Sequence, residues 1–386
     1  MVGGFKHTEV GVIPNDWKVI PISEITSLMT NGFVGTVKSH YTDYENGILY
    51  IQGYNVEENS FNYNGIKRVT EEFHKKHLKS CLQKGDLLTI QTGDIGVTTV
   101  VPEHLAGSNC HALIITRFKK GTAEPKFYSY YFNFSAGRRR LKEIETGSTM
   151  KHINVGDMIQ LLIPYPTKAE QTAIATALND GDALIQKLEQ LIAKKRNIKT
   201  GAMQELLKPK EGWEQKALGQ IADLYQPETI SQEKFTNDGY LVYGANGIVG
   251  RFDRYNHEHW QTTITCRGST CGTVNKTVDK CWITGNAMVA NVDRNTCVDK
   301  LFFYFLLTRQ DFSNCITGSG QPQIVRKPLF EFYVWLPKQK EEQSQIAQIL
   351  SDMDNEIQEL EKQLEKYKMM KQGMMQSLLT GKIRLV

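Results

Sequence analysis

The chain has 386 residues, 40% hydrophobic and 23% charged, which is the composition of a globular protein of two or three domains and excludes disordered and fibrous classes. No apolar run approaches the ~18–20 residues that span a bilayer, and the opening MVGGFKHTEVGVIP lacks the apolar core of a secretory signal, so a cytoplasmic location is expected. A net charge of +4 permits nucleic-acid binding without demanding it, because a basic patch must be local to matter.

In chain order, GVIPNDWKVIPISEI (11–25) places Trp17 ahead of a short strand-like phrase. GDLLTI (85–90) reads as a strand that runs into the Gly-rich turn QTGDIG (91–96). PKFYSYYFNF (125–134) spaces Phe127, Tyr130, Tyr131 and Phe134 as one helical face, which is expected to be core rather than a base-stacking surface. TGSTMKHI (146–153) and Pro166 follow, and then a long helical pattern.

The second half repeats this order. EGWEQKALGQIADL (211–224) carries Trp213, QTTITC (261–266) reads as a strand, RGSTCG (267–272) as its Gly-rich turn, and KLFFYFLL (300–307) as the aromatic helix. TGSGQPQI (317–324) and Pro337 precede a second long helical pattern.

The two helical patterns are copies. Residues 170–207 align without a gap on 342–379, with 18 identities in 38 positions. Ile174, Leu178, Ile185, Leu188, Ile192, Ala202 and Leu206 keep a 3-4 spacing in the first, with Gly181, Lys195 and Lys199 as weak rungs. Ile346, Leu350, Met353, Ile357, Leu360, Leu364, Tyr367, Met374 and Leu378 keep it in the second, broken at Lys371. This is the narrow seam of a coiled coil. Each buried Leu or Ile contributes about 1.5–3 kcal/mol, so the two helices are expected to pair with each other. Each would span ~57 Å at ~1.5 Å per residue.

The expected fold is α+β, with two pseudo-symmetric α/β domains separated by two long antiparallel coiled-coil helices. The expected boundaries are 1–167 for the first domain, 168–208 for the first helix, 209–338 for the second domain and 339–386 for the second helix.

Catalytic signals are missing. The chain has no G-x-x-x-x-G-K-[ST] loop and no G-x-G-x-x-G turn, and IPYP (163–166) lacks the features of an amino-methyltransferase motif. Asp86, Asp94, Glu103 and Lys119 suggest a metal-dependent nuclease only if forced, since the second half does not repeat them. The seven cysteines contain no CxxC pair, and Cys266, Cys271 and Cys281 with His257 or His259 match no zinc-ligand spacing. No catalytic residue and no metal site are expected. The chemistry offered is binding.

The phrase KHTEVGVIPNDWKV, the turn KGDLLTIQTGDIG, the pair TGSTMKHI and TGSGQPQI, and the two EQ…I…L…D…I…L helices together resemble the specificity (S) subunit of type I restriction–modification systems. The resemblance covers the whole chain. It implies a non-catalytic subunit whose two target recognition domains read the halves of an asymmetric, bipartite double-stranded DNA target. It also implies two modification subunits that methylate adenine with S-adenosylmethionine, and motor-nuclease restriction subunits that use ATP and Mg2+. No cofactor is expected in this chain, and no membrane partner. The helices would act as a ruler, since DNA readers on one face of a duplex sit ~34–36 Å apart. The alternative is a coiled-coil scaffold that joins two interaction domains without DNA readout.

For base contacts the turns nominate Gln91, Thr92, Asp94 and Thr98 in the first domain, and Arg267, Ser269, Thr270 and Asn275 in the second. Arg267 is the sharpest of these, because an arginine fork bonds guanine through two atoms. For phosphate contacts the basic clusters nominate Lys67, Arg68, Arg138, Arg139, Arg140, Lys142, Lys151, His152, Arg326 and Lys327.

Overall fold

The computed structural model describes residues 4–148, 151–318, 320 and 322–385. Thr149 and Met150 of the TGSTMKHI phrase, and Ser319 and Gln321 of TGSGQPQI, lie outside the described residues. The chain forms two units. Residues 1–188 with 363–386 make the first, and 189–362 the second.

In the first unit a four-stranded antiparallel sheet runs in the order Thr98–Val100, Leu87–Ile90, Leu113–Phe118, Thr26–Asn31. Leucine and β-branched residues fill these strands, and Leu87, Leu88, Leu113, Ile114 and Ile115 are fully buried. Beside it stands a three-stranded sheet in which Ile48–Ile51 pairs antiparallel with Lys67–Val69 and parallel with Asn109–Cys110. The aromatic helix Pro125–Asn133 starts on proline, whose locked φ suits the first helical position. Phe127, Tyr130 and Tyr131 are core, as the sequence pattern implies.

The second unit repeats the plan. Its four-stranded sheet runs Val274–Lys276, Thr262–Thr265, Ala287–Asn291, Asp223–Tyr225, and Tyr240–Gly244 pairs with Gly247–Phe252 and Trp282–Ile283. Its aromatic helix, Lys300–Thr308, is capped by Asp299, which accepts from the amides of Leu301 and Phe302 at 2.9 and 2.8 Å.

The long helices are Lys168–Leu206 and Lys340–Leu378. In the first unit Ile174 and Leu178 pack in one core with Leu378 and Leu379. In the second, Ile346 and Leu350 share a core with Leu206 and Leu207. Lys195 meets Glu356 while Lys199 meets Asp354, so the partner number falls as the helix advances and the packing is antiparallel. Among the seam positions Leu188, Ile192 and Ile357 are also buried, whereas Ile185, Leu206, Leu360 and Leu364 are half-buried.

The weak rungs have a purpose that sequence periodicity hides. Lys199 pairs with Asp354 within the second unit, and Lys371 pairs with Asp182 within the first. These two pairs are equivalent under the repeat. Each lysine also faces an aromatic-helix ring, Lys199 that of Phe305 at 5.4 Å and Lys371 that of Tyr130 at 5.7 Å.

The repeated Glu-Gln that opens each long helix fastens it to its globule. Trp17 donates to Glu170 at 3.0 Å and Trp213 to Glu342 at 3.1 Å. Gln171 accepts from the Glu124 amide and donates to the Pro166 carbonyl, while Gln343 does the same with Asp299 and Pro337. In the first unit only, Arg384 grips both Glu170 and Asp16.

Candidate nucleic-acid interface

Each four-stranded sheet ends in the Gly-rich turn found in the sequence. Leu87–Ile90 leads into 91–96, where Gly93 (φ 86°) and Gly96 (φ 82°) take the left-handed backbone that favours glycine. Thr262–Thr265 leads into 266–272, with Gly268 at 89° and Gly272 at 91°. Closing bonds match as well. The Gly96 amide reaches the Ile90 carbonyl at 2.8 Å, and the Gly272 amide reaches Thr265 at 2.9 Å.

Both turns lie against short antiparallel strand pairs formed by described residues in and beside the TGS phrases. Glu145–Thr146 pairs with His152–Ile153, and Ile316–Thr317 with Gln323–Ile324. Thr92 bridges to His152, and Arg267 bridges to Gln323. The Ile153 amide bonds the Gln91 carbonyl at 3.0 Å, and the Ile324 amide bonds Cys266 at 2.9 Å. The element built twice is therefore a turn braced by a hairpin, with exposed polar side chains at its edge.

The base-contact candidates divide by exposure. Thr92, Asp94, Arg267 and Ser269 are exposed, and Gln91, Thr270 and Asn275 are half-buried. Thr98 is different. It has no exposed surface, its hydroxyl meets Thr89 and the Gly96 carbonyl, and its amide and carbonyl are both held by Asn133. It begins the next strand and braces the aromatic helix, which leaves it no surface for a base. Asn275 lies on strand Val274–Lys276 rather than in the turn.

Several basic candidates already have partners. Arg138 bonds Glu58 at 2.6 Å and the Ile95 carbonyl at 3.2 Å, Arg140 pairs with Glu143, and Lys151 lies 3.5 Å from Glu145. Arg68 donates to the Gly47 carbonyl at 2.6 Å, a bond that serves the fold. Arg139, Lys142 and Lys67 are exposed and make no ion pair among the described residues. A shallow cleft brings the turn together with this cluster, lined by Gly93, Ile95, Arg138, Lys142, Lys151 and the acids Glu58 and Glu145. In the second unit Arg326 and Lys327 are exposed at the start of helix Arg326–Phe330, with the Arg326 guanidinium 5.8 Å from the Phe330 ring.

Sequence reasoning missed Glu58, Glu145 and Gln323. Glu58 and Glu145 hold the cations of the cleft, and Gln323 braces Arg267. Glu58 carried no local signal. Gln323 does carry one, since TGSGQPQI matches TGSTMKHI and the bridge to the turn recurs at the same place. The nuclease grouping dissolves in three dimensions: Asp86 is bound by Arg117 through two bonds of 2.7 Å, and Glu103 pairs with Lys84. The described residues contain no group of three or more His, Cys, Asp or Glu side chains suited to a metal ion. Among the described residues no helix is long and apolar enough to cross a membrane.

The sequence profile described as the type I restriction modification DNA specificity domain matches residues 14–195 and again 210–367. Over 421 aligned positions the chain is 25% identical to the putative type I restriction enzyme MjaX specificity subunit of Methanocaldococcus jannaschii, covering 99% of this chain and 97% of the relative. The MjaIX specificity subunit of the same organism is 28% identical over 184 residues, 47% of this chain and 41% of the relative. In structure the chain is similar to an S subunit of a type I restriction–modification system from M. genitalium, with a TM-score of 0.63 and 19% identity over 98% of this chain and 99% of that one.

Proposed function

The chain belongs to the type I restriction modification DNA specificity family, and from that premise we propose that it selects the DNA target of a type I restriction–modification complex. Each unit reads one half of a bipartite, asymmetric duplex sequence. The observation that carries this is duplication of the frame with divergence at its edge. Turn, hairpin, aromatic helix and Glu-Gln anchor recur in both units, yet Gln91, Thr92 and Asp94 stand in one turn and Arg267, Ser269 and Thr270 in the other. A scaffold without DNA readout has no finding in its favour.

Phosphate contacts fall first to Arg139, Lys142 and Lys67, which are exposed and make no ion pair among the described residues. Arg138, Arg140 and Lys151 must exchange an existing partner before they can engage a phosphate. The subunit carries no catalysis of its own. Two modification subunits supply adenine methylation with S-adenosylmethionine, and restriction subunits supply cleavage with ATP and Mg2+. The complex acts in the cytoplasm, where the DNA is.

The test is an exchange of residues 209–338 for the matching segment of a relative, followed by methylome sequencing with the modification subunit present. One half-site is expected to change while the other stays. A change in both, or in neither, overturns the assignment.

A further inference from the structure

The two units share the three-stranded sheet but differ in what covers one end of it. Matching the strand ladders equates Val69 with Phe252 and Asn109 with Trp282. Ahead of the central strand each unit has one turn of 3-10 helix, Lys38–His40 or Gln232–Lys234. The next threonine amide then bonds the adjacent strand, Thr42 to Arg68 and Thr236 to Arg251. That equates His40 with Lys234.

In the first unit this end is plugged. Helix Glu71–Lys76 inserts Phe73, 1% exposed, among the rings of Tyr50, His40 and His77 at 5.8, 5.1 and 4.4 Å. Its neighbour His74 meets Asn109 at 2.5 Å. In the second unit residues 253–261, directly after strand Gly247–Phe252, form no helix. A cavity of about 430 Å3 lies there instead, lined by Glu228, Ile230, Lys234, Phe252, Arg254 and Trp282. All three matched positions are in its wall, so the cavity stands where the plug would be.

The wall has a distinct chemistry. Phe252 and Trp282 meet edge to face at 5.1 Å, and the Arg254 guanidinium lies 6.0 Å from the Phe252 ring. Lys234 and Arg254 are exposed cations, Arg254 with its Nε 3.5 Å from the exposed Asp253 and no other ion pair among the described residues, and Glu228 is an exposed acid. The Trp282 indole N–H is screened from water and has no hydrogen-bond partner among the described residues, a donor that asks for an explanation. Aromatic walls with flanking cations are how proteins hold unstacked bases and their phosphates. The volume falls within the roughly 300–1,000 Å3 of small-ligand sites.

We propose that this cavity binds one unstacked nucleotide. Its base lies against Phe252 and Trp282 where the first unit has the Phe73 ring, and its phosphate meets Arg254 and Lys234. Glu228 favours bases that present an amino group over thymine. The nucleotide comes either from the bound duplex, in which case the site rests on the DNA-reading function, or from free solution.

The test titrates the full chain with dAMP, dGMP, dCMP, dTMP and inorganic phosphate, followed by tryptophan emission. In parallel it compares a perfect duplex with one of the same length carrying a single bulged nucleotide. Free-nucleotide binding predicts a saturating quench that is absent in Trp282→Phe, about tenfold weaker in Arg254→Gln, and not given by phosphate alone. Binding from the duplex predicts tighter association of the bulged DNA, an advantage that both variants abolish. If neither mononucleotides nor the bulge show an effect dependent on these residues, the proposal is wrong. Unchanged perfect-duplex binding in that case leaves the DNA-reading function standing. Should the native chain bind no duplex, that function fails, and the mononucleotide arm alone decides the cavity.

Discussion

Replacing Arg384 by alanine should loosen the first unit far more than a substitution near a chain end ordinarily does. Glu170 has no exposed surface, and its carboxylate takes the Trp17 indole N–H at 3.0 Å and two bonds from Arg384, one of 2.7 Å. Removing the guanidinium leaves a buried carboxylate with a single neutral donor, a change that costs about 3–5 kcal/mol when a buried pair is broken from one side. The Asp16 arm adds little, since its side chain is 58% exposed and such contacts contribute about 0–1 kcal/mol. Glu342 offers a control, because among the described residues it keeps only the tryptophan bond, and it is half-buried. Hydrogen exchange on peptides covering 11–25 and 162–178 reads the local opening energy. Arg384→Ala should lower it by about 3 kcal/mol, and adding Glu170→Gln should restore about 1–2 kcal/mol by removing the stranded charge. Glu342→Gln should change the second unit by less than about 1 kcal/mol. An Arg384→Ala variant within about 0.5 kcal/mol of the native chain, or no recovery in the double variant, would refute the reasoning.

Arg267→Ala should relax one position of one half-site by about 1–3 kcal/mol of discrimination, seen as degenerate methylation there, whereas Thr98→Val should leave the target sequence alone. Arg139→Ala with Lys142→Ala should weaken all sequences alike and flatten the plot of log K against log salt by about two units, measured by anisotropy titration; a change in sequence preference contradicts that role. Burial pushes the His111 and His257 imidazoles below their ordinary range. The unfolded chain therefore binds more protons, so stability should fall as pH drops below about 6.5. His257→Gln should flatten that dependence in the second unit, and melts that are pH-independent from 7.5 to 5 would exclude it.

The helices, their proline stops and both aromatic helices were legible because periodicity and punctuation are local properties of a chain. Lys195, Lys199 and Lys371 read in the sequence only as weak points of the apolar seam. Their acids stand across an antiparallel pair, and sequence spacing within one helix cannot show what lies opposite. Thr98 shows a related limit: glycine spacing marks a turn, but the Asn133 side chain that holds the Thr98 amide lies 35 positions away. Glu170 and Glu342 stand in the repeated helices, and Trp17 and Trp213 in the matching phrases that open each half. Only the fold joins the two observations.

The cross-helix ion pairs have an ancestral consequence. Each copy of the repeat carries both an acid and a base, Asp182 with Lys199 and Asp354 with Lys371. A helix of this kind is self-complementary. Two identical half-length chains related by a two-fold axis would satisfy one another's charges as fully as the two diverged copies do, each lysine meeting the other chain's aspartate in an isologous contact. Fusing two such genes end to end would require no new pairing chemistry. Once fused, the two halves would be free to diverge, since the residues that dock the helices are not those of the Gly-rich turns.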